Sequence, residues 1–302
     1  MEISREADTL RALYQNWTDQ MVENPDLTIA NLRSMFDEWG QPALEPENVS
    51  YKSDHVGGVE AIWALPAGAD TSRVIVYTHG GGFAVGSADS HRKMAGHLAK
   101  VLGVTSVILH YRRAPEHPFP AQIEDAVAAY KALLDKGFKA RNILTAGDSA
   151  GGNLAAVIAL MARDAQLDLA AQILIYPVTD YRGGTPSFTK YATGYGGLEA
   201  ETVTWFMDHY LPDTATREDW RASPDKAASH AGLPPALVLL AECDVLHDEG
   251  VAYADQLSAA GNTVELLDYS GMIHGFFNHL GLVDATDDAH KAVAGFLQKT
   301  LS

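Results

Sequence analysis

The sequence predicts an α/β fold with one mostly parallel central sheet and helices on both of its faces. Short runs rich in β-branched and aromatic residues alternate along the chain with segments of helical periodicity, as in proteins built from strand–helix–strand units. Several of these runs are almost continuously apolar, which is typical of strands that are buried on both faces. A chain of 302 residues is also long enough to bury a large core in one such unit.

Two amphipathic helices are expected before this alternation begins. The first occupies the first twenty-odd residues and is marked by apolar side chains at helical spacing, namely Leu10, Leu13, Tyr14, Trp17 and Met21. The second begins near Asp26, and Gly40 is its stop signal. Its apolar side is formed by Ile29, Leu32, Phe36 and Trp39.

The alternating part of the chain, residues 51–302, is expected to form one large domain without internal repeats. Strands are predicted over residues 56–65, 73–78, 104–109, 142–146, 172–176, 236–240 and 263–269. Helices are predicted between or after them at about 90–102, 120–137, 150–164, 249–260 and 286–300.

An insertion of about sixty residues separates the strand that ends at Tyr176 from the strand that starts at Ala236, which is far more than a crossover needs. Inside it, a helix is marked by Val203, Phe206, Met207 and Tyr210. Open α/β sheets bind their ligands at the carboxyl ends of their strands. We therefore expect the insertion, at about residues 180–230, to form a helical cap there with the N-terminal helices of residues 1–50. The alternative is that both segments only extend the core.

The charge and cysteine content exclude several classes of protein. A formal net charge of −17 argues against nucleic-acid partners and anionic membrane surfaces, because both attract Lys and Arg. The single cysteine, Cys243, excludes an intrachain disulfide and fits a reducing compartment. No signal-peptide pattern opens the chain, and no apolar run is long enough to span a membrane. A cytoplasmic protein without stable membrane association is expected.

A candidate nucleophile lies in the run Gly147-Asp148-Ser149-Ala150-Gly151, between a predicted strand and a predicted helix. A serine on such a sharp turn needs small neighbours, because the turn is strained and the helix packs close to the strand. The turn exposes the hydroxyl and points the helix N-terminus at it, which suits a reaction in which negative charge develops. A plain glycine turn is the alternative, and the strand–helix context favours Ser149 as the nucleophile.

A second glycine-rich run, His79-Gly80-Gly81-Gly82, follows the strand predicted at 73–78. This run resembles the oxyanion-hole loop found in lipases and esterases. The N–H groups of Gly81 and Gly82 would act with that of Ala150, the residue after the nucleophile. A phosphate-binding loop is the competing interpretation, but the Lys that such a loop requires is absent. We expect His79 to organise the loop rather than to transfer protons.

If Ser149 is a nucleophile, its general base and the acid that orients this base are expected later in the chain, because the order in hydrolases with this turn is serine, acid, histidine. His274 lies in a loop directly after the strand predicted at 263–269. The other downstream histidines are His230, His247 and His279. Asp244 follows the strand predicted at 236–240, again at a carboxyl end. Its rivals are Glu242, Asp248, Glu249 and Asp268, of which Asp248 and Glu249 are ordinary residues for a helix start.

Together these residues resemble the hormone-sensitive-lipase-like family of bacterial esterases, which has the α/β-hydrolase fold. The matching motifs, which lie between about residue 50 and the end of the chain, are His79-Gly80-Gly81-Gly82, the run from Tyr111 to Pro120, the run from Gly147 to Gly152, the run from Asp244 to Gly250, and His274-Gly275-Phe276. Departures are small: Arg113 replaces the usual leucine, and Val245 and His247 stand where Pro and Arg are common. No departure falls on a catalytic position.

The resemblance implies a triad of Ser149, Asp244 and His274 and an oxyanion hole of Gly81, Gly82 and Ala150. It implies a cap, no metal or organic cofactor, and a small-molecule ester as the binding partner. Nucleic acid is not expected, and a homodimer is left open. The predicted function is a serine carboxylesterase for short-acyl esters, since the expected cap carries bulky aromatic residues, namely Trp17, Trp39, Tyr195, Trp205 and Phe206. Alternatives are a lactone, amide or carbamate hydrolase and, disfavoured by the intact triad, a non-catalytic ligand receptor.

Overall fold

A computed structural model describes residues 3–24 and 26–300, without the side chains of residues 17, 18, 21 and 22. The contacts expected of Trp17 and Met21 therefore lie outside the described residues. Within these ranges the strands are β1 (Val49–Val56), β2 (Val59–Pro66), β3 (Asp70–Thr78), β4 (Val104–Leu109), β5 (Ile143–Asp148), β6 (Ala171–Ile175), β7 (Ala236–Cys243) and β8 (Val264–Ile273). The helices are α1 (Arg5–Glu23), α2 (Ile29–Asp37), α3 (Ala88–Leu102), α4 (Ala121–Asp135), α5 (Ala150–Asp164), α6 (Pro186–Lys190), α7 (Ala200–Tyr210), α8 (His247–Ala259) and α9 (Asp284–Thr300).

One eight-stranded sheet organises the molecule, with the strand order β1-β2-β4-β3-β5-β6-β7-β8. Strand β2 is antiparallel to both of its neighbours, and every pairing from β4 to β8 is parallel. The central strands β4, β5 and β6 are buried throughout, which is why most of their residues are apolar. The predicted α/β class and the mostly parallel sheet are confirmed.

The first strand of the sheet differs from the prediction. A single strand over residues 56–65 is wrong, because Val56 ends β1 and a tight turn at Gly57 and Gly58 leads into β2. Both glycines have positive φ angles, 63° and 83°, which suit this hairpin turn. Strand β1 is an edge strand with mostly exposed side chains, so it lacks the apolar signal that marks the inner strands.

The helices begin and end where local signals favour it. Thr28 caps α2 in a reciprocal arrangement with Asn31, two residues after the expected start at Asp26. Gly103 ends α3 in the left-handed conformation, with φ of 63°. Helix α3 packs against α9, and α4 packs against α5. No helix of the described residues is long and apolar enough to cross a membrane.

Four loops meet at the carboxyl edge of the parallel strands. Strand β3 leads into His79, β5 into Ser149, β7 into Asp244 and β8 into His274. These strands lie within five consecutive positions of the sheet, β3-β5-β6-β7-β8. The topology therefore brings together side chains that are up to about two hundred residues apart in sequence, as expected for the ligand edge of such a sheet.

Two segments contact these loops from outside the sheet. We call residues 3–48 the N-terminal segment and residues 177–235 the insertion segment. The amide of Ser4 donates to the carbonyl of Gly271 at 2.9 Å, and Arg11 reaches the carbonyl of Gly194, so the two segments also touch each other. In the insertion segment, the amide of Ser187 donates to the Asp248 carboxylate at 2.8 Å.

Candidate active site

Ser149 lies on a strained turn between β5 and α5. Its φ of 55° and ψ of −122° are unusual for a residue with a side chain, which is typical of a nucleophile held on a strand-to-helix turn. The flanking glycines are required by contact: a Cβ at Gly147 would overlap the backbone of Gly151, and a Cβ at Gly151 would overlap the carbonyl of Thr78. The sequence argument for small neighbours at this turn thus has a direct structural reason.

The structure brings Ser149, His274 and Asp244 into one hydrogen-bonded chain. Nε2 of His274 lies 3.0 Å from Oγ of Ser149, and Nδ1 lies 2.6 Å from Oδ2 of Asp244. Because a carboxylate only accepts hydrogen bonds, Nδ1 carries the proton and Nε2 is free to accept the serine proton. The other Asp244 oxygen accepts the amide of Leu246 at 3.0 Å. All three side chains are buried, with residue exposures of 8%, 8% and 1% for Ser149, His274 and Asp244.

The rival histidines have other partners. His230 bonds to the carbonyl of Pro224, and His247 lies between Asp248 and Asp268. His279 packs edge-on against Trp39, and burial lowers its pKa to about 3.

The rival carboxylates are similarly engaged away from the serine. Glu242 accepts the amide of Gly271 at 2.8 Å, and Glu249 accepts the amide of Thr179 at 2.8 Å. Asp248 binds the amide of Ser187. These three carboxylates hold neighbouring loops, so their contacts are those of structural groups.

The glycine loop presents unused backbone donors. Gly81 and Gly82 have positive φ angles of 110° and 58°, and the Gly81 carbonyl accepts the amides of Ala84 and Val85. In residues 3–24 and 26–300, no hydrogen-bond acceptor pairs with the N–H groups of Gly81, Gly82 or Ala150. These N–H groups are the three that the sequence selects for an oxyanion hole.

Asp148, which lies between Gly147 and Ser149, anchors the glycine loop. Its Oδ1 accepts the amide of Gly80 at 3.1 Å and the hydroxyl of Tyr77 at 2.5 Å, and Oδ2 lies 3.3 Å from Nε2 of the buried His91. Burial alone would raise the pKa of Asp148, but the charge of the nearby His91 and the hydrogen bond from Tyr77 hold it at about 2. Sequence reasoning gave this residue no role, although its place inside the nucleophile motif was a signal.

His79 fits the predicted organising role. Its ring stacks on Tyr111 with centroids 4.2 Å apart, and Nδ1 lies 2.7 Å from the carbonyl of Gly80. Burial lowers the pKa of His79 well below its ordinary value, so the ring is neutral. The hydroxyl of Tyr111 donates to the His79 carbonyl at 2.6 Å. This pair fixes the start of the glycine loop.

Glu116, which the sequence left without a function, pairs with an arginine of the N-terminal segment. Arg33 makes two hydrogen bonds to the Glu116 carboxylate, at 2.9 and 2.6 Å, and these lower the pKa of Glu116 to about 2. Arg33 also donates to the carbonyls of Ala84 and Ala114. The guanidinium therefore ties α2 to the chain just beyond the glycine loop.

The insertion segment lies directly against the glycine loop and the histidine. A Cβ at Gly82 would overlap the ring of Phe206 from α7, and a Cβ at Gly197 would meet the carbonyl of His274 at 2.5 Å. Among the other expected cap aromatics, Trp205 contacts both Phe206 and His209, Tyr195 packs against Tyr191, and Trp39 packs against Tyr14 and His279. Among the described residues, no group of three or more His, Cys, Asp or Glu side chains could hold a metal ion.

Comparison with known proteins places this arrangement in a family. Residues 75–278 match a family described by the α/β-hydrolase fold. The ethyl acetate hydrolase of Pseudomonas putida is 40% identical over 75% of this chain and 73% of its own length. A carboxylesterase of Mycobacterium tuberculosis, NlhH, is 36% identical over 82% of this chain and 79% of its own length.

Solved structures agree over the whole chain. An esterase of the bacterial hormone-sensitive lipase family has a TM-score of 0.90 and 30% identity, with complete coverage of both chains. The hyperthermophilic esterase of the archaeon Pyrobaculum calidifontis has a TM-score of 0.89 and 35% identity, covering 100% of this chain and 99% of its own. The resemblance drawn from the motifs is confirmed, and the chain belongs to the hormone-sensitive-lipase family of bacterial esterases within the α/β-hydrolase fold.

Proposed function

We propose that this carboxylic ester hydrolase acts on small esters with short acyl chains, through Ser149, His274 and Asp244. The observation that carries the proposal is the hydrogen-bonded chain from Oγ of Ser149 through the His274 ring to the Asp244 carboxylate, at 3.0 and 2.6 Å. The related ethyl acetate hydrolase and carboxylesterase support the same class of substrate.

In the proposed mechanism, Nε2 of His274 takes the proton of Ser149 as Oγ attacks the acyl carbon. Asp244 holds the imidazole in the required tautomer and stabilises the imidazolium that forms. His274 then gives the proton to the leaving alcohol. Water attacks the acyl-enzyme by the same route and releases the acid.

The N–H groups of Gly81, Gly82 and Ala150 would bind the negative oxygen of each tetrahedral intermediate. Their lack of partners among the described residues supports this role, because a preorganised donor need not break another bond to bind the oxyanion. Loss of one such donor typically costs about 3 kcal/mol of transition-state stabilisation.

The N-terminal segment and the insertion segment would form the cap of the catalytic domain, residues 51–302. Their contacts with Gly271, Gly82 and His274 support that division. A ring directly over Gly82 leaves little room for a long chain, which favours short acyl groups. The chain's single cysteine and charge of −17 support a cytoplasmic enzyme without nucleic-acid or stable membrane partners.

A lactone, amide or carbamate hydrolase would use the same groups, and a ligand receptor would use none of them. An organophosphate reacts covalently with an activated serine, so we expect it to label Ser149 stoichiometrically and to block hydrolysis. Purified Ser149→Ala protein is the matched control and should remain unlabelled. Comparison of the hydrolysis rates of nitrophenyl esters, lactones and amides then identifies which type of bond the enzyme cleaves. Absence of labelling would support the receptor, and faster lactone or amide cleavage would replace the ester assignment.

A further inference from the structure

The chain that leaves β6 holds the backbone of Ser149 from two sides. The carbonyl of Ile175 accepts the amide of Ser149 at 2.9 Å, and the amide of Val178 donates to the carbonyl of Ser149 at 3.2 Å. Between these contacts lies Tyr176, whose φ is 33°. A positive φ at a bulky residue is strained and persists only where the surrounding contacts enforce it, which happens most often at functional sites. The strain at Tyr176 therefore indicates that its side chain is required in a particular place.

The side chain of Tyr176 lies against the ring of His274. The centroids of the two rings are 4.5 Å apart, and their planes are inclined by 51°. Tyr176 is fully buried, and its hydroxyl accepts the side-chain amide of Asn278 at 3.2 Å. Burial raises the pKa of Tyr176 well above its ordinary value, so the phenol is neutral. Tyr176 thus contacts both the histidine ring and the turn that follows this histidine.

A second contact on His274 is needed because its hydrogen bond to Asp244 fixes only one atom of the ring. Nδ1 is held 2.6 Å from the Asp244 carboxylate, but the ring could still tilt about this bond and carry Nε2 away from Oγ of Ser149. Packing against the ring of Tyr176 restricts this tilt. The face of an aromatic ring is also electronegative, so it favours a neighbouring positive charge. Both effects act on the state in which His274 has accepted the serine proton.

We propose that Tyr176 is a positioning residue of the esterase reaction, and that its ring fixes the plane of the His274 imidazole and stabilises the imidazolium that forms in each proton transfer. This inference rests on the proposed function of the triad and deepens it. Because the chain on either side of Tyr176 is bonded to the backbone of Ser149, the end of β6 aligns the nucleophile and the base together. The ring should affect kcat more than KM, since His274 becomes charged only after the substrate is bound.

Two substitutions separate the ring of Tyr176 from its hydroxyl. Tyr176→Leu removes the aromatic face, and it should lower kcat on nitrophenyl acetate by about tenfold to a hundredfold, because small displacements of reacting groups have effects of this size. KM should stay within about twofold of the wild type. Tyr176→Phe keeps the aromatic face, so kcat should stay within about threefold of the wild type. Tyr176→Met, which is unbranched and has no aromatic face, takes the place of Tyr176→Leu if that variant does not fold.

The pH profile separates positioning of His274 from a general loss of packing. The acidic limb of kcat/KM reports protonation of the base in the free enzyme. In Tyr176→Leu its midpoint should move to lower pH by about half a unit or more, because the imidazolium loses the ring face that stabilises it. In Tyr176→Phe the midpoint should not move. The titratable groups that act on Tyr176 are Asp148, Tyr14 and Asp244, and all three are unchanged in these variants.

Tyr253→Leu is the matched control. Tyr253 is also a fully buried tyrosine that packs on a histidine, His230, with ring centroids 5.4 Å apart, and His230 has no part in the proposed triad. Urea unfolding should show a loss of stability in both Leu variants. Tyr253→Leu should nevertheless keep the kcat and the pH profile of the wild type.

Three results would overturn the inference. The first is an unchanged kcat in folded Tyr176→Leu or Tyr176→Met, and the second is a midpoint that stays or moves to higher pH. The third is a loss in Tyr176→Phe as large as that in Tyr176→Leu, which would assign the effect to the hydrogen bond with Asn278 instead of the ring. The proposed function fails separately, if wild-type protein hydrolyses neither nitrophenyl acetate nor ethyl acetate.

Discussion

The loops that carry Ser149, Asp244 and His274 and the insertion segment that contacts them are held by different means. In these loops, Ser149, Asp244 and His274 are all less than a tenth exposed, and the glycine loop is anchored on the buried carboxylate of Asp148. The insertion segment combines buried rings, such as Tyr210, which stacks on Phe83 with ring centroids 3.9 Å apart, with surface ion pairs such as Arg217 with Asp208. Exposed ion pairs contribute little to stability. The loops around Ser149 are thus held by buried polar contacts, whereas the outer face of the insertion segment adds ion pairs that contribute little to stability.

The largest expected effect is on kcat, at the proposed nucleophile Ser149. Ser149→Ala should lower kcat by about 10⁶-fold, because only binding and the oxyanion donors remain. The protein should stay folded, since the change removes one hydroxyl and no packing. Steady-state rates on nitrophenyl acetate with freshly purified protein measure this. Residual activity above a few per cent of wild type would assign the nucleophile to another residue.

The next effect distinguishes the two candidate acids. Asp244→Asn should lower kcat by about 10⁴-fold, because the amide favours the wrong tautomer of His274. Asp248→Asn is the matched control: its carboxylate binds Ser187 and His247 at the edge of the insertion segment, so kcat should change by far less. The reverse ranking, in two folded variants, would move the acid to Asp248.

A moderate effect is expected at the anchor of the glycine loop. Asp148→Asn should lower kcat by about tenfold or more with little change in KM, a smaller loss than deletion of an oxyanion donor.

The pKa of Asp148 is about 2, below the ordinary value near 3.9. Its stabilisation is therefore present above about pH 4 and is lost as the pH falls toward 2.

Urea unfolding of wild type and Asp148→Asn between pH 6 and pH 2 checks that dependence. The difference in unfolding free energy should shrink as the solution becomes more acidic. A difference that stayed constant over this range would show that the carboxylate is not ionised in the folded protein.

The smallest expected effect is on the free energy of unfolding, and it concerns His247 at the outer edge of the site. Asp268 and Asp248 bind its two ring nitrogens, each at 3.0 Å, and raise its pKa to about 9. The stabilisation is fully present below the ordinary pKa near 6.5 and is lost as the pH rises through 9. His247→Gln should cost on the order of 1 kcal/mol at pH 6 and nothing at pH 10. A cost that increased with pH would contradict the assigned ion pairs.

Most of the sheet and of the loops that carry Ser149, Asp244 and His274 could be predicted from the sequence, because their sequence signals are local. Buried parallel strands produce mostly apolar runs, and the turn at Ser149 demands glycines at fixed positions. The hairpin between β1 and β2 was missed because an exposed edge strand carries no such run. The anchoring role of Asp148 was missed because its partners, Tyr77, Gly80 and His91, are more than fifty residues away.

The insertion segment could be predicted only in outline. An insertion of the right length and a helix at residues 200–210 follow from the spacing of apolar residues. Which aromatic ring meets the glycine loop does not, because Trp205 and Phe206 are adjacent and equally apolar. Trp205 contacts His209 of its own helix, whereas the position of Phe206 depends on a contact with Gly82, more than a hundred residues away in sequence.

The central claim is that Ser149 carries the acyl group during turnover. Acid quenching during steady-state hydrolysis of nitrophenyl acetate, followed by peptide mass mapping, tests it most directly. We predict an acetyl group on the peptide that contains Ser149 in the wild type, and none on the same peptide of Ser149→Ala. Acetylation of a different residue that is turned over at the catalytic rate would contradict the account.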